Sequence, residues 1–161
     1  MGVKKERILK RDWEDFIKEF NKNNQLKSAV IVLKDKAIEG EWGRPFLGIT
    51  YDSESRKVQV FFGGPEPDSA VHLVHEIDVP RAFWKIIDEN GHIVGIQIQP
   101  KPGNPMAYIT FESDDREESR ARWIQELAYA IYLQRGMEHG DDQADWYAAE
   151  SIVDEATAKF L

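Results

Sequence analysis

Four histidines, His72, His75, His92 and His139, are the side chains best suited to bind a metal or to pass a proton near neutral pH. His72 and His75 stand three apart. Chelation from one strand face needs a spacing of two, and V-H-L-V-H-E-I-D-V alternates as a strand, so the pair is expected on opposite faces. His92 falls beside a turn and His139 in a loop, both in water. The run Gly140-Asp141-Asp142-Gln143-Ala144-Asp145 carries three acids. It lacks the alternating ligands and closing glutamate of a calcium loop, and its acids suit the positive end of a helix. No metal site is expected. The chain has 0 cysteines, which excludes thiolate nucleophiles, disulfides and thiolate metal centres. No serine-hydrolase elbow, phosphate loop, dinucleotide fingerprint, zinc-protease or kinase pattern occurs. Gly63-Gly64 runs into Pro65, which has no N–H to offer a phosphate. The acid pairs Asp88-Glu89 and Glu117-Glu118 are adjacent and solvated. No catalytic residue and no cofactor is expected; only carboxylates gathered from distant strands would add chemistry that no local pattern reveals.

Binding candidates come from the aromatic residues, 11% of the chain with five tryptophans. Trp13, Trp123 and Trp146 fall on apolar stripes and read as core. Trp42 stands in Gly40-Glu41-Trp42-Gly43-Arg44-Pro45, a turn with less local reason to bury an indole. With Arg44 beside it, Trp42 has the composition of an interface anchor. Were a ligand site to lie in a concavity of the curved sheet, Trp84, Tyr108 or Arg44 is expected near its mouth.

The elements that must position these residues follow from periodicity. Trp13, Phe16, Ile17 and Phe20 recur at helical spacing, with Asp12 as the expected cap and Asn21 to Asn24 as the end. From Lys27 to Phe111 the period is two, predicting strands near 28–34, 46–52, 57–63, 70–79, 82–88, 92–99 and 106–112. Asn90-Gly91 is expected as a two-residue type I′ loop that pairs Phe83 with Ile98, Lys85 with Ile96 and Ile87 with Val94. The helical period then returns. Two antiparallel helices are expected, about 115–135 and 142–159, with Gly136 ending the first and Trp123, Leu127, Ile131 facing Trp146, Ala149, Val153 or the sheet. The fold class expected is α+β: an N-terminal helix on an antiparallel β-meander of about six or seven strands, followed by an antiparallel helical hairpin. Short connections argue against a doubly wound parallel sheet.

Charge divides the chain. The net charge is −8 over 161 residues. Residues 113–161 hold 12 acids and 5 bases, whereas residues 1–112 hold 17 and 16. A boundary near Ser113 is therefore expected, giving an α+β domain over 1–112 and an acidic helical appendage over 113–161. Residues 1–11 run basic, with Lys4, Lys5, Arg7, Lys10 and Arg11 against Glu6, and read as a solvated, partly frayed terminus. The acidic bulk argues against nucleic acid. No apolar run spans a membrane and no secretory leader is evident, so a cytoplasmic location is expected.

Two resemblances accompany these patterns. Ala128-Tyr129, Tyr132, Gly136, Gly140, Trp146 and Ala149-Glu150 set a spacing that resembles a short uncharacterised bacterial helical family over about residues 117–152, except that Tyr132 stands where that family usually has Trp. Trp13, Phe16 and Phe20, then Pro45, Phe46, Gly48, Ile49, Tyr51 and Asp52, then Gly63-Gly64, are similar to a second bacterial family of unknown function, over residues 11–112. Neither resemblance implies an activity or a catalytic residue.

Two functions compete on these grounds. The first is a non-catalytic module that acts by protein contact or self-association, with a protein partner or a second copy of the chain. The second is a small-molecule-binding or enzymatic domain with its site in a sheet concavity. A pocket above about 300 Å³ with convergent polar groups would favour the second. An apolar surface patch larger than the roughly 300–600 Å² usual for monomers would favour the first.

Overall fold

Alternation of apolar side chains from Lys27 onward builds one sheet, and the two helical stretches cover it. Residues 2–33, 36–37, 44–111 and 114–161 are described in a computed structural model of the chain. Trp42 and the expected boundary residue Ser113 lie outside them. The strands are β1 (Lys4–Ile8), β2 (Ser28–Leu33), β3 (Lys36–Ala37), β4 (Arg44–Asp52), β5 (Lys57–Gly63), β6 (Val71–Asp78), β7 (Ala82–Ile87), β8 (Ile93–Gln99) and β9 (Ala107–Phe111). The helices are α1 (Trp13–Asn24), α2 (Arg116–Gln134) and α3 (Asp142–Ala158). Among the described residues, no helix is long and apolar enough to cross a membrane.

Eight strands lie in the order β1-β7-β8-β9-β2-β4-β5-β6, and the two-residue β3 pairs with β2 off that path. Every pairing is antiparallel. The class is α+β and all seven expected strands form, but they do not make a single meander. β4-β5-β6 and β7-β8-β9 are separate meanders, joined because β2 pairs with β4 on one side and β9 on the other. Two strands went unforeseen. β1 is the basic arm, expected to fray; instead Lys4 to Ile8 pair with Ile87 to Phe83 of β7. Its backbone bonds need no apolar alternation, and its charged, exposed side chains suit an edge strand that must not recruit another. β3 is too short to carry a pattern.

The β7–β8 hairpin departs from expectation at its tip. Phe83 pairs with Ile98 and Lys85 with Ile96, but a bulge pairs Ile87 with Ile93 rather than Val94. The cause is Asp88. Its carboxylate accepts the N–H groups of Asn90 and His92, each at 2.9 Å, while Gly91 N–H donates to the Asp88 carbonyl at 3.1 Å. Asp88 N–H reaches the His92 carbonyl at 2.9 Å, so the loop has three residues, with Gly91 at φ +83° supplying the left-handed position.

Strand alternation sends β5 side chains to two cores. Val58, Val60 and Phe62 join Trp13, Ile17 and Phe20 of α1 in the first. Phe61 packs instead with Trp123, Ile124, Leu127, Ala149 and Val153 in the second, so α1 and the α2–α3 hairpin lie on opposite faces of the sheet. Each fully buried Ile or Phe in these layers contributes about 1.5–3 kcal/mol. Trp13 packs edge-on to Phe83 at 4.5 Å and donates its indole N–H to the Ile8 carbonyl at 3.1 Å. Asn21 pairs with Ile49 of β4 through its amide as another strand would, at 2.9 Å in both directions. Asp12 makes no side-chain cap; a 3₁₀ turn over Lys10–Asp12 leads into α1 instead.

The hairpin has the expected ends. Arg120 near the start of α2 meets Asp154 at 3.0 Å, and Arg135 just beyond its end meets Asp145 at 2.7 Å, so the helices run antiparallel. Gly136, at φ +84°, ends α2, and Met137 N–H donates back to the Tyr132 carbonyl at 3.0 Å. Trp146 differs from expectation: it is 38% exposed, and Ala149, Val153, Ala156 and Phe160 fill the stripe without it.

Candidate functional site

The sheet is wider than α1. Helix α1 meets β4 and the middle of the sheet, and beyond its C-terminal half the same face stays open between α1 and the tip of the β7–β8 hairpin. The result is a cleft of about 740 Å³. Its apolar lining comes from three places in the sequence: Phe16 and Phe20 from α1, Ile93 and Val94 from β8, and Phe111 from β9. Phe16 and Phe20 stack at 5.6 Å, and Phe20 lies 5.7 Å from Phe111. Val94 and Phe111 are half-buried. Polar groups ring this floor, with Asn24 and Lys27 at one end of α1, Asp88 and His92 at the hairpin tip, and Asp114 and Arg116 at the start of α2.

Lys27 is held in place by its backbone. α1 ends at Asn24, and Leu26 takes φ +73°, a left-handed conformation uncommon for a side chain of its size. Leu26 N–H then donates to the Phe46 carbonyl at 2.7 Å, and Phe46 N–H to the Lys27 carbonyl at 2.9 Å. The Lys27 ammonium lies over the Phe111 ring, 5.6 Å from its centre, and donates to Asn24 Oδ1 at 3.0 Å. Partial burial lowers its pKa below the usual lysine value; Asp114 opposes that shift and Arg116 adds to it.

Two acids of the rim, Asp88 and Asp114, are already engaged. Asp88 accepts the backbone N–H of His92 and of Asn90, and these bonds hold its carboxyl below the usual range against a smaller opposing effect of burial. His92 Nδ1 stands 3.7 Å from the same carboxylate. Asp114 meets Arg116 at 3.2 Å. Neighbouring Asp115 accepts Ser28 O–H at 2.6 Å, Ser28 N–H at 2.9 Å and Arg122 at 3.3 Å.

Of the binding candidates named from sequence, the described Arg44, Trp84 and Tyr108 do not line this cleft. Arg44 lies on the hairpin side of the sheet. Its Nε and Nη2 donate to the Gly63 carbonyl, Nε at 2.9 Å, and its Nη1 meets both oxygens of Glu126 at 2.8 and 3.0 Å, tying β4 and β5 to α2. Trp84 and Tyr108 are neighbours across β8: Trp84 pairs with Gln97 and Gln97 with Tyr108. This row points away from the α1 core, and neither aromatic belongs to either core cluster. Arg7 covers the Trp84 ring at 5.8 Å. Gln97 between them is 3% exposed, and among the described residues its Oε1 has no hydrogen-bond partner.

The histidine pair is not arranged as the spacing predicts. A bulge in β6 pairs His75 with Val60 and His72 with Phe62, both members of the α1-side core, so the extra residue cancels the alternation that would have separated them. Burial lowers the His75 pKa. Among the described residues, no three His, Asp or Glu side chains converge to hold a metal.

Sequence reasoning missed Lys27, Asn24, Phe111 and Arg116 as a group. Segments 16–27, 88–94 and 111–116 are far apart in the chain, and only the pairing of β2 with β9 brings Lys27 beside Phe111. One local signal existed: Phe16 and Phe20 widen the apolar stripe of α1 toward Asn23 and Lys27, more than one row of contacts needs.

Comparison with known proteins adds one finding, and it concerns the other side of the sheet. Residues 119–155 match the family described as "Protein of unknown function (DUF2934)". The match runs from the first turns of α2 into α3 and leaves the sheet and the cleft outside it. No curated protein and no solved structure gives a significant match.

Proposed function

We propose that the chain is a small-molecule-binding domain whose ligand occupies the cleft between α1 and the β7–β8 hairpin. One observation carries the reading: the cleft holds about 740 Å³ and combines an apolar floor with polar groups from three segments. Pockets that take drug-sized ligands run about 300–1,000 Å³ with this division of labour. The competing motive for a protein partner has weakened, because the helical hairpin covers its apolar stripe with Leu47 and Ala70 of its own chain. The test uses a neutral fluorescent probe, N-phenylnaphthylamine. It should bind saturably to the wild type and lose at least about tenfold in affinity to Val94→Trp, which fills the floor. Equal binding by the two proteins would remove the cleft as the site.

A second reading, contact with another protein, has its own support. Of nine exposed large hydrophobic residues described, five are Tyr129, Leu133, Met137, Trp146 and Tyr147, all at the free end of the hairpin and within or beside its turn. We propose this end as the contact surface should the chain self-associate. Sedimentation should then show a concentration-dependent dimer that Tyr129→Ser with Leu133→Ser abolishes; a monomer throughout would reject it.

A further inference from the structure

We propose that the cleft selects an aromatic carboxylate, with the ring on the phenylalanine floor and the carboxylate on Lys27 and Arg116. The inference rests on the ligand-binding reading above and asks which polar group in the cleft is still unspent. Asp88 is occupied by two backbone N–H groups and faces His92. Asp114 is paired with Arg116, and Asp115 is used by Ser28 and Arg122. Asn24 spends its amide N–H on the Phe20 carbonyl and its oxygen on Lys27. Glu19 is exposed on α1. The charged donors left over are on Lys27 and Arg116. Lys27 carries three N–H bonds and, among the described residues, gives one hydrogen bond, to Asn24. Arg116 uses its Nε on Asp114 and, among the described residues, gives no hydrogen bond from its Nη groups.

Arg116, the first residue of α2, lines the cleft with its charge partly offset by Asp114 at 3.2 Å, so Lys27 is the stronger of the two anchors. Lys27 faces Phe111, so an anion that reaches the ammonium from the cleft must also pass the aromatic floor. A ligand with a flat apolar body and a carboxylate at one end meets both requirements. A neutral analogue meets only the first. Charge-assisted bonds to a carboxylate from partly desolvated donors are the stronger kind, so discrimination against the neutral analogue is expected to be large.

The test is calorimetric titration with naphthoate and with naphthamide, the same ring bearing a neutral group of similar shape. Naphthoate is expected to bind the wild type at least about tenfold more tightly than naphthamide. Lys27→Met should reduce that preference to within about twofold, and Lys27→Arg should retain it. Equal affinity for the two compounds in the wild type overturns the carboxylate assignment. A full preference persisting in Lys27→Met overturns it equally. Either result leaves the cleft reading standing if naphthamide binding still disappears in Val94→Trp. Absence of binding by both compounds, or binding indifferent to Val94→Trp, defeats the carboxylate assignment and the cleft reading together.

Discussion

Gly63 lies directly against the Trp123 ring: a Cβ added there would sit 2.6 Å from Cε2 and Cζ2 of the indole. Trp123 in turn donates its ring N–H to the Gly64 carbonyl at 2.8 Å. The Gly63-Gly64 pair thus seats the hairpin on the sheet, a use quite different from binding phosphate. Gly63→Ala is expected to cost about 1–3 kcal/mol, because Pro45 closes the other side at 2.7 Å and the ring cannot retreat freely. Thermal melts should show a Tm lower by several degrees. An unchanged Tm would mean that the hairpin shifts on the sheet without cost.

The two hairpin tryptophans are expected to behave differently. Trp123, 2% exposed, should lose about 3–5 kcal/mol on substitution by alanine. Trp146, at 38% exposure, should lose clearly less. Amide exchange on Trp123→Ala also tests the proposed division near residue 113. Protection should fall in α2 and α3 but persist in β2, β8 and β9, whose Ala29, Ile31, Ile96, Ile98, Ala107 and Ile109 belong to the α1-side core. Equal loss in those strands would make the chain one cooperative unit.

Asp145 gives a pH signature. Its carboxylate receives both Arg135 donors, at 3.0 and 2.7 Å, which holds its pKa below the usual value while burial opposes the shift. A carboxyl depressed on folding contributes stability that is complete above its unfolded value, near pH 4, and is lost as pH falls through the folded value. Asp145→Asn should therefore melt below the wild type at pH 5–7, and the gap should narrow below about pH 4. A gap that is constant down to pH 2 would show that the pair does not govern the titration.

Gln97 offers a substitution expected not to harm. Its Oε1 is buried between Trp84 and Tyr108 and meets no donor among the described residues. An unsatisfied buried acceptor costs about 1–3 kcal/mol, so Gln97→Met should leave the protein as stable or more stable. Denaturant titration showing a loss above about 1 kcal/mol would mean that the amide is doing something useful.

Local patterns in the sequence located α1, seven strands and both hairpin helices, since each of these buries one face with a clear period. What escaped detection depends on partners distant in sequence. β1 shows no alternation, because its place is set by backbone bonds to β7. The tip of the β7–β8 hairpin was misjudged because Asp88 competes for the turn N–H groups that Asn90-Gly91 alone would have left to a two-residue loop. The histidine faces were misread because the β6 bulge adds one residue. Arg44 was singled out for its company with Trp42, yet its guanidinium joins Gly63 to Glu126. The cleft was beyond local reading altogether, since its floor depends on β9 lying beside β2.

The most direct measurement is an amide proton–nitrogen correlation titration of the protein with naphthoate. Saturable shifts are predicted at Phe16, Asn23, Lys27, His92, Val94 and Arg116, the segments that meet at the cleft, with Tyr129 to Tyr147 unmoved. Saturable shifts confined to the hairpin, or none at any concentration, would contradict the account.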